Sequence, residues 1–536
     1  GTQLAKIDSV GGILSPAILG SFVLLAVFPL IAKRIVAWIE KRKVYARWQA
    51  SKPARFDYNL LVIGAGSGGL VSAYIAAAVK AKVGLIEKHK MGGDCLNTGC
   101  VPSKALLRSA KFLAQANRAQ SLGMRAVNVD FRFADLMKRV QRVVKTVEPH
   151  DSVERYTQLG VDCVQGEARI TSPWTVEVKT SDGTRELSAK SMIIAAGARP
   201  FVPPIPGIDE VGYLTSDNVW ELRELPQRLV VLGGGPIGCE LAQAFARVGA
   251  KVIQVEMAPR LMPREDPEIS EMVKQRFTDE GIDVRIDTKA QAFRLVDGKK
   301  HLIVEHDGET IDIVFDQVLV AVGRAANIDG YGVEEVGIEV SDRRTIAVND
   351  YMQTNYPNIF ACGDVAGPYQ FTHTAAHTAW YASVNALFGR FRRFKVDYSV
   401  IPWATFTDPE VARVGLNETE AKERNIAYEL TTYGIDDLDR AIADESAQGL
   451  VKVLTVPGKD KILGATIVGE HAGDLIVEFI LAMRHGIGLN KILGTIHIYP
   501  TWAEANKYAA GNWKRAHAPQ RLLEWVGRFH AWGRGG

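Results

Sequence analysis

Cys95 and Cys100 lie close together in the segment Met91-Gly-Gly-Asp-Cys95-Leu-Asn-Thr-Gly-Cys100-Val-Pro-Ser-Lys104. Four intervening residues can bring two sulfurs within disulfide distance at the start of a helix. A helix N-terminus lowers a thiol pKa and favours the thiolate that performs exchange chemistry. Zinc binding is the rival reading. It would need further ligands at suitable spacing, and Cys163, Cys239 and Cys362 form no second pair. Those three scattered cysteines read as buried structural thiols.

A redox pair needs a source of electrons, and two glycine-rich segments supply the place for one. Asn59-Leu-Leu-Val-Ile-Gly64-Ala-Gly66-Ser-Gly-Gly69 leads into an alanine-rich helix and then a strand ending at Glu87. Leu229-Val-Val-Leu-Gly233-Gly-Gly235-Pro-Ile-Gly238 does the same and ends at Glu256. Each is a βαβ unit with a G-x-G-x-x-G turn. The first glycine permits the turn, the second lets the backbone approach a pyrophosphate, and the third lets helix pack on strand. The helix N-terminus offers unpaired N–H groups to phosphate. Glu87 and Glu256 stand where an acid binds the adenosine ribose. Two such units imply two dinucleotides, most simply a bound flavin (FAD) and an exchanging nicotinamide. A carboxylate at Glu256 favours NADH over NADPH, and Arg260 nearby in sequence complicates that choice. Two more apolar strands end in glycine, at Gly197 and Gly323.

These elements require a large α/β body. The chain has 536 residues, enough for several domains, and 47% of them are apolar. A net charge of only +3 gives no global reason to expect a nucleic-acid partner. The expected layout is an FAD-binding part at 57–205, an NAD(P)-binding domain at 206–325, a second FAD part or central region at 326–395 and an interface domain at 396–515.

The motifs together resemble the flavoprotein disulfide reductases, which include lipoamide dehydrogenase, glutathione reductase and mercuric reductase. The resemblance covers about residues 57 to 515. It also rests on Asn358-Ile-Phe-Ala-Cys-Gly-Asp364 and Pro500-Thr-Trp-Ala-Glu504. It implies two Rossmann-like domains followed by an α+β dimerisation domain, and a homodimer whose partners complete each other's active sites. By this resemblance Cys100 faces the flavin, Cys95 meets the substrate, Lys104 and Glu240 form an ion pair beside the flavin, and Asp364 binds its ribityl chain. Pro236 takes a position where some relatives carry a tyrosine gate. Disulfide-reducing members carry histidine immediately before the proline of Pro500-Thr501, paired with the later glutamate. Here Glu504 is kept, but Tyr499 replaces the histidine, and His497 lies two residues earlier. A tyrosine with pKa ~10 is a poor base, which argues against efficient reduction of lipoamide or glutathione. Mercuric reductases place a tyrosine near the metal, yet their C-terminal vicinal cysteine pair is missing here. The implied acceptor is a small disulfide or a soft metal ion. Two alternatives stay open: a membrane quinone, or a role as redox module of an attached multi-span membrane domain.

Both ends suggest a membrane. Ile13 to Ala32 is strongly apolar and Lys33, Arg34, Lys41, Arg42 and Lys43 follow. About 20 such residues suffice to cross a bilayer. Residues 1–32 are therefore expected to form a transmembrane segment, with 33–56 a basic juxtamembrane helix and linker. The basic flank places the catalytic body on the cytoplasmic side of an inner membrane. The chain starts at Gly1, in keeping with processing or excision from a longer protein. The basic aromatic tail, 516–536, reads as an amphipathic helix that contacts lipid, its own subunit or a dimer mate.

Overall fold

The computed structural model describes residues 22–23, 25–28, 32 and 43–535. Strand β1 (Tyr58–Ile63) is apolar and fully inaccessible from Leu60 to Val62, as a central parallel strand covered on both faces must be. Helix α1 (Ser67–Ala78) follows the first glycine turn, and β2 (Val83–Glu87) returns parallel to β1. A short helix α2 (Gly93–Asn97) and the long α3 (Cys100–Asn117) come next. Strands β3 (Val161–Gln165), β4 (Glu167–Ser172), β5 (Thr175–Thr180) and β6 (Gly183–Ile194) complete a sheet of order β3-β2-β1-β6-β5-β4.

The second nucleotide unit repeats the plan. Strand β7 (Arg228–Leu232), helix α4 (Pro236–Arg247), β8 (Lys251–Val255), α5 (Pro267–Asp279), β9 (Asp283–Arg285) and β10 (Gln317–Val320) build a parallel sheet of order β9-β8-β7-β10. An antiparallel ribbon of three strands over 288–315 lies between β9 and β10 in sequence. The chain then returns to the first sheet, where β11 (Ile359–Ala361) pairs parallel with β6, and enters helix α6 (Thr372–Phe388).

The last region is a five-stranded antiparallel sheet made of β12 (Pro402–Thr405), β13 (Glu410–Gly415), β14 (Glu429–Gly434), β15 (Leu450–Thr455) and β16 (Ile462–Gly469), in the order β12-β13-β16-β15-β14. Helices α7 (Val477–His485) and α8 (Glu504–Ala516) follow, with Phe479, Ala505, Ala509 and Trp513 in its core.

A buried polar cluster ties this region to the second nucleotide unit. Lys452 on β15 is 1% exposed, and its Nζ donates to Asp266 and contacts Glu418, each at 2.7 Å, and also meets Glu268. The three carboxylates converge as they would on a cation, and the lysine ammonium serves as that cation. Burial pushes the Asp266 and Glu418 carboxyls up, but the lysine and hydrogen bonds outweigh it and hold both below their ordinary values. Lys452→Met should therefore destabilise the fold by about 3 kcal/mol or more at neutral pH, because breaking a buried pair leaves uncompensated charge. A group with a depressed folded-state pKa stabilises above its unfolded pKa and loses that contribution as pH falls through the folded value. The penalty measured by urea unfolding should therefore shrink toward acid pH.

The membrane expectation is corrected here. Most of the 1–32 segment lies outside the described residues, and among the described residues no helix is long and apolar enough to cross a membrane. The described part of 33–56 is not a lipid-facing helix either. A 3₁₀ turn at Ala46–Ser51 docks on the first domain. Tyr45 stacks on Trp174 with ring centroids 4.9 Å apart, and its hydroxyl donates to Asn358 at 2.5 Å. Trp48 Nε1 donates to the Tyr356 hydroxyl at 3.1 Å. The aromatic rings of this segment are engaged with protein, and nothing among the described residues supports an inner-membrane location. The tail does form a helix, α9 (Gln520–Gly533), with no buried residue.

Candidate active site

Both glycine turns sit at the C-terminal end of the first strand of their unit, where open α/β sheets bind ligands. Close packing explains two of the glycines in physical terms. A Cβ on Gly69 would lie 1.8 Å from the carbonyl oxygen of Gly64, and one on Gly238 would lie 2.2 Å from that of Gly233. By contrast, a Cβ on Gly66 would meet nothing closer than 3.8 Å, and one on Gly235 nothing within 4 Å. The outer two glycines thus let helix meet strand, and the middle one leaves space for a ligand. Gly197 and Gly323 have positive φ and likewise face open space.

The two acids hold these turns. Glu87 accepts hydrogen bonds from the N–H groups of Ala65 and His89, both at 2.7 Å. Glu256 accepts from the N–H of Gly234 and, at 2.7 Å, from that of Ala258. Arg260, expected to complicate the choice of nicotinamide, donates to the Pro263 carbonyl at 3.1 Å and does not line the cleft.

One continuous cleft of about 2030 Å³ runs between the units. It is lined by Gly66, Glu87, Gly197 and Asp364 on one side and by Gly235, Pro236, Glu256 and Gly323 on the other, with Cys95, Cys100, Lys104 and Glu240 between them. Its size exceeds the ~300–1,000 Å³ of a single small-molecule pocket. Two elongated dinucleotides fit both that volume and the paired turns.

Both cysteines are free thiols. Cys95 is on α2 and Cys100 is the first residue of α3. A hydrogen bond from Cys95 is the largest influence on Cys100. Together with Thr372 and Lys104, it outweighs burial and Glu240 and holds the Cys100 thiol down at about 6. The same hydrogen bond, with burial, pushes the Cys95 thiol up. The pair is therefore polarised, with Cys100 the thiolate and Cys95 the proton donor.

Lys104 Nζ donates to Glu240 Oε2 at 2.8 Å and lies 4.3 Å from the centroid of the Phe406 ring. The other Glu240 oxygen accepts from the Phe406 N–H at 3.0 Å. Burial raises the Asp364 carboxyl to about 6, against the pull of Arg324, whose Nε lies 3.7 Å away. Arg324 also pairs with Asp94, next to the cysteines. Sequence reading missed Arg324, Phe406 and Thr372. Arg324 follows Gly323 directly, which was a usable signal; the others gave none.

Tyr499 and Glu504 are not brought to this cleft within one protomer. Tyr499 is 66% exposed, beside the exposed Ile496 and Ile498, and its hydroxyl donates to Asp439 at 3.0 Å. Glu504 is buried and accepts from the Thr501 N–H and the Tyr508 hydroxyl, both at 3.2 Å. His497 is engaged at both ring nitrogens, 3.0 Å from the Thr495 carbonyl and 3.1 Å from Glu478.

The fold and site together define a class. Residues 58–379 match the pyridine nucleotide-disulphide oxidoreductase family and residues 401–510 match its dimerisation domain. The chain belongs to this family: it is an FAD-dependent oxidoreductase, and members of the family use FAD and NAD(P)H. Its dimerisation domain supports a homodimer. It is 35% identical over 457 residues to mercuric reductase from Lysinibacillus sphaericus, covering 85% of this chain and 82% of that one. It is 34% identical over 466 residues to dihydrolipoyl dehydrogenase from Bacillus subtilis (strain 168), covering 85% and 97%. Among solved structures it resembles the Cu(II) complex of the HOCl-induced flavoprotein disulfide reductase RclA from Escherichia coli, with a TM-score of 0.76 and 26% identity, covering 85% of this chain and 99% of that one. Neither family match reaches the 1–32 segment, so these comparisons too give the inner-membrane location no support.

Proposed function

We propose that this enzyme uses NADH to reduce a soft metal ion, Hg(II) or Cu(II), at Cys95 and Cys100. The observation that carries the reading is the polarised thiol pair at the centre of a cleft that joins two dinucleotide turns. Thiolates are soft ligands suited to such ions. For mercury the balance is NADH + Hg(II) → NAD⁺ + H⁺ + Hg(0), and for copper NADH + 2 Cu(II) → NAD⁺ + H⁺ + 2 Cu(I). When bound, FAD would carry the two electrons of NADH to the metal ion held by the two thiolates or, for a disulfide acceptor, to the oxidised Cys95–Cys100 pair. Gly64, Gly66, Gly69, Glu87 and Asp364 are the residues assigned to FAD, with Gly197 beside them. Gly233, Gly235, Gly238 and Glu256 are assigned to NADH, with Gly323 beside them. Lys104 presents a positive charge in the cleft, and Glu240 keeps that ammonium oriented.

A small disulfide is the second reading, favoured by the same thiol pair. Cys95 would attack one acceptor sulfur and release the other as a thiol. Cys100 would then attack Cys95, freeing the second acceptor thiol and closing the Cys95–Cys100 bond. Deprotonating the attacking Cys95 and protonating the leaving thiolates calls for an acid–base group that titrates near neutral pH. His497 is already engaged at both nitrogens, and hydrogen bonding to Asp439 raises the Tyr499 phenol further above its ordinary value. The soft metal ion therefore ranks first.

Anaerobic NADH oxidation tests the order. Turnover with Hg(II) or Cu(II), supplied with excess small thiol, should exceed turnover with oxidised lipoamide by about tenfold or more. A faster rate with lipoamide would reverse it. Two further outcomes are expected. Alkylation of Cys100 should be half-maximal near pH 6, rising above and falling below, because its thiol is held down at about 6. Glu256→Ala should cut the preference for NADH over NADPH by about tenfold, seen in the ratio of kcat/KM values, because the carboxylate repels a 2′-phosphate.

A further inference from the structure

Two helices of different parts of the chain begin at the same sulfur. Cys100 is the first residue of α3, and Thr372 is the first residue of α6. The Thr372 Oγ1 lies 3.3 Å from Cys100 Sγ. The same hydroxyl also hydrogen-bonds the Cys95 thiol and lowers it, so Thr372 stands at both sulfurs of the pair. We propose that Thr372 is a positioning residue whose hydroxyl donates to the Cys100 sulfur and keeps it reactive while Cys95 is engaged with the acceptor.

The argument turns on what else faces that sulfur. Cys95 on α2 is the stronger donor. It ceases to donate once its own sulfur bonds to metal or to an acceptor thiol. Lys104 on α3 attracts the negative charge, but its partner Glu240 on α4 opposes it. Asp364, after β11, adds negative charge on the same side. In the step where Cys100 must act as the nucleophile, Thr372 is the hydrogen-bond donor that remains. A charged acceptor makes such a bond stronger than a neutral pair. The residue type suits the task, because a β-branched side chain has few χ1 states and holds its hydroxyl in place. The N-terminus of α6 adds a favourable partial charge.

This inference rests on reading Cys95 and Cys100 as the redox pair. The test measures the pH dependence of Cys100 alkylation by iodoacetamide, resolved by peptide mass spectrometry, on the reduced full chain with its flavin. Thr372→Val and Thr372→Ser are compared in the native background and in Cys95→Ala, which mimics the occupied state by removing the other donor. Valine should raise the Cys100 midpoint by about one pH unit in the Cys95→Ala background, a tenfold loss of thiolate at neutral pH. Serine should restore it to within about 0.3 unit. The proposal falls if valine leaves the midpoint unmoved there, or if serine shifts it as far as valine does. A native midpoint near 9 would overturn both this inference and the redox-pair reading. A native midpoint near 6 with no effect of valine would overturn this inference alone.

Discussion

Cys95→Ser is expected to lower NADH-dependent turnover, with either metal ion or disulfide, by about 10³-fold or more. A serine hydroxyl is neither a soft ligand nor a thiol able to exchange. Cys100→Ser should be equally damaging for the complete cycle, for a different reason. Cys100 is the thiolate of the pair, and without it an acceptor captured at Cys95 has no resolving partner. Single-turnover mixing separates these effects from loss of the nicotinamide site. Consumption of the first equivalent of NADH should survive in both variants, because Gly235 and Glu256 belong to the second nucleotide unit and Cys95 and Cys100 to the helices after the first. Steady-state turnover should not. Full turnover by Cys95→Ser would sink the proposed function, because the acceptor would then be reduced elsewhere.

The second large effect is steric. Gly69→Ala would place a methyl group 1.8 Å from a backbone oxygen, and Gly238→Ala one at 2.2 Å. No side-chain rotation relieves such a contact, so helix must part from strand. Overpacking of this kind costs ~1–3 kcal/mol or more, a factor of about five to over a hundred in binding. The two variants should fail differently. Gly69→Ala should purify with little flavin, read as the ratio of visible to ultraviolet absorbance. Gly238→Ala should keep its flavin and show a raised Kd for NADH. Loss of the same ligand in both would contradict the assignment of one turn to each.

What could be read in advance was local. Each glycine turn is contiguous, with its strand, helix and acid spaced by the geometry of one βαβ unit. The cysteine pair sits within a single stretch of fourteen residues, from Met91 to Lys104. The ion pair of Lys104 and Glu240 spans 136 positions and came only through the family resemblance. The contact of Thr372 with Cys100 spans 272 positions and had no local signal. For the described residues before Phe56, aromatic content did not say which surface the rings meet. Rings suited to a lipid interface serve equally well against Trp174 and Tyr356.

From the order of residues alone came the class of chemistry: two dinucleotide turns, their acids and a pair of sulfurs. Those depend on backbone spacing and side-chain type, which short stretches carry in full. Tertiary structure decided the rest: which groups hold Cys100 as the thiolate that the family resemblance implied, that His497 is already engaged, and that a threonine from a distant helix touches Cys100. Protonation state and hydrogen-bond partnership depend on which distant groups share a low-dielectric space, and only the folded chain brings them together.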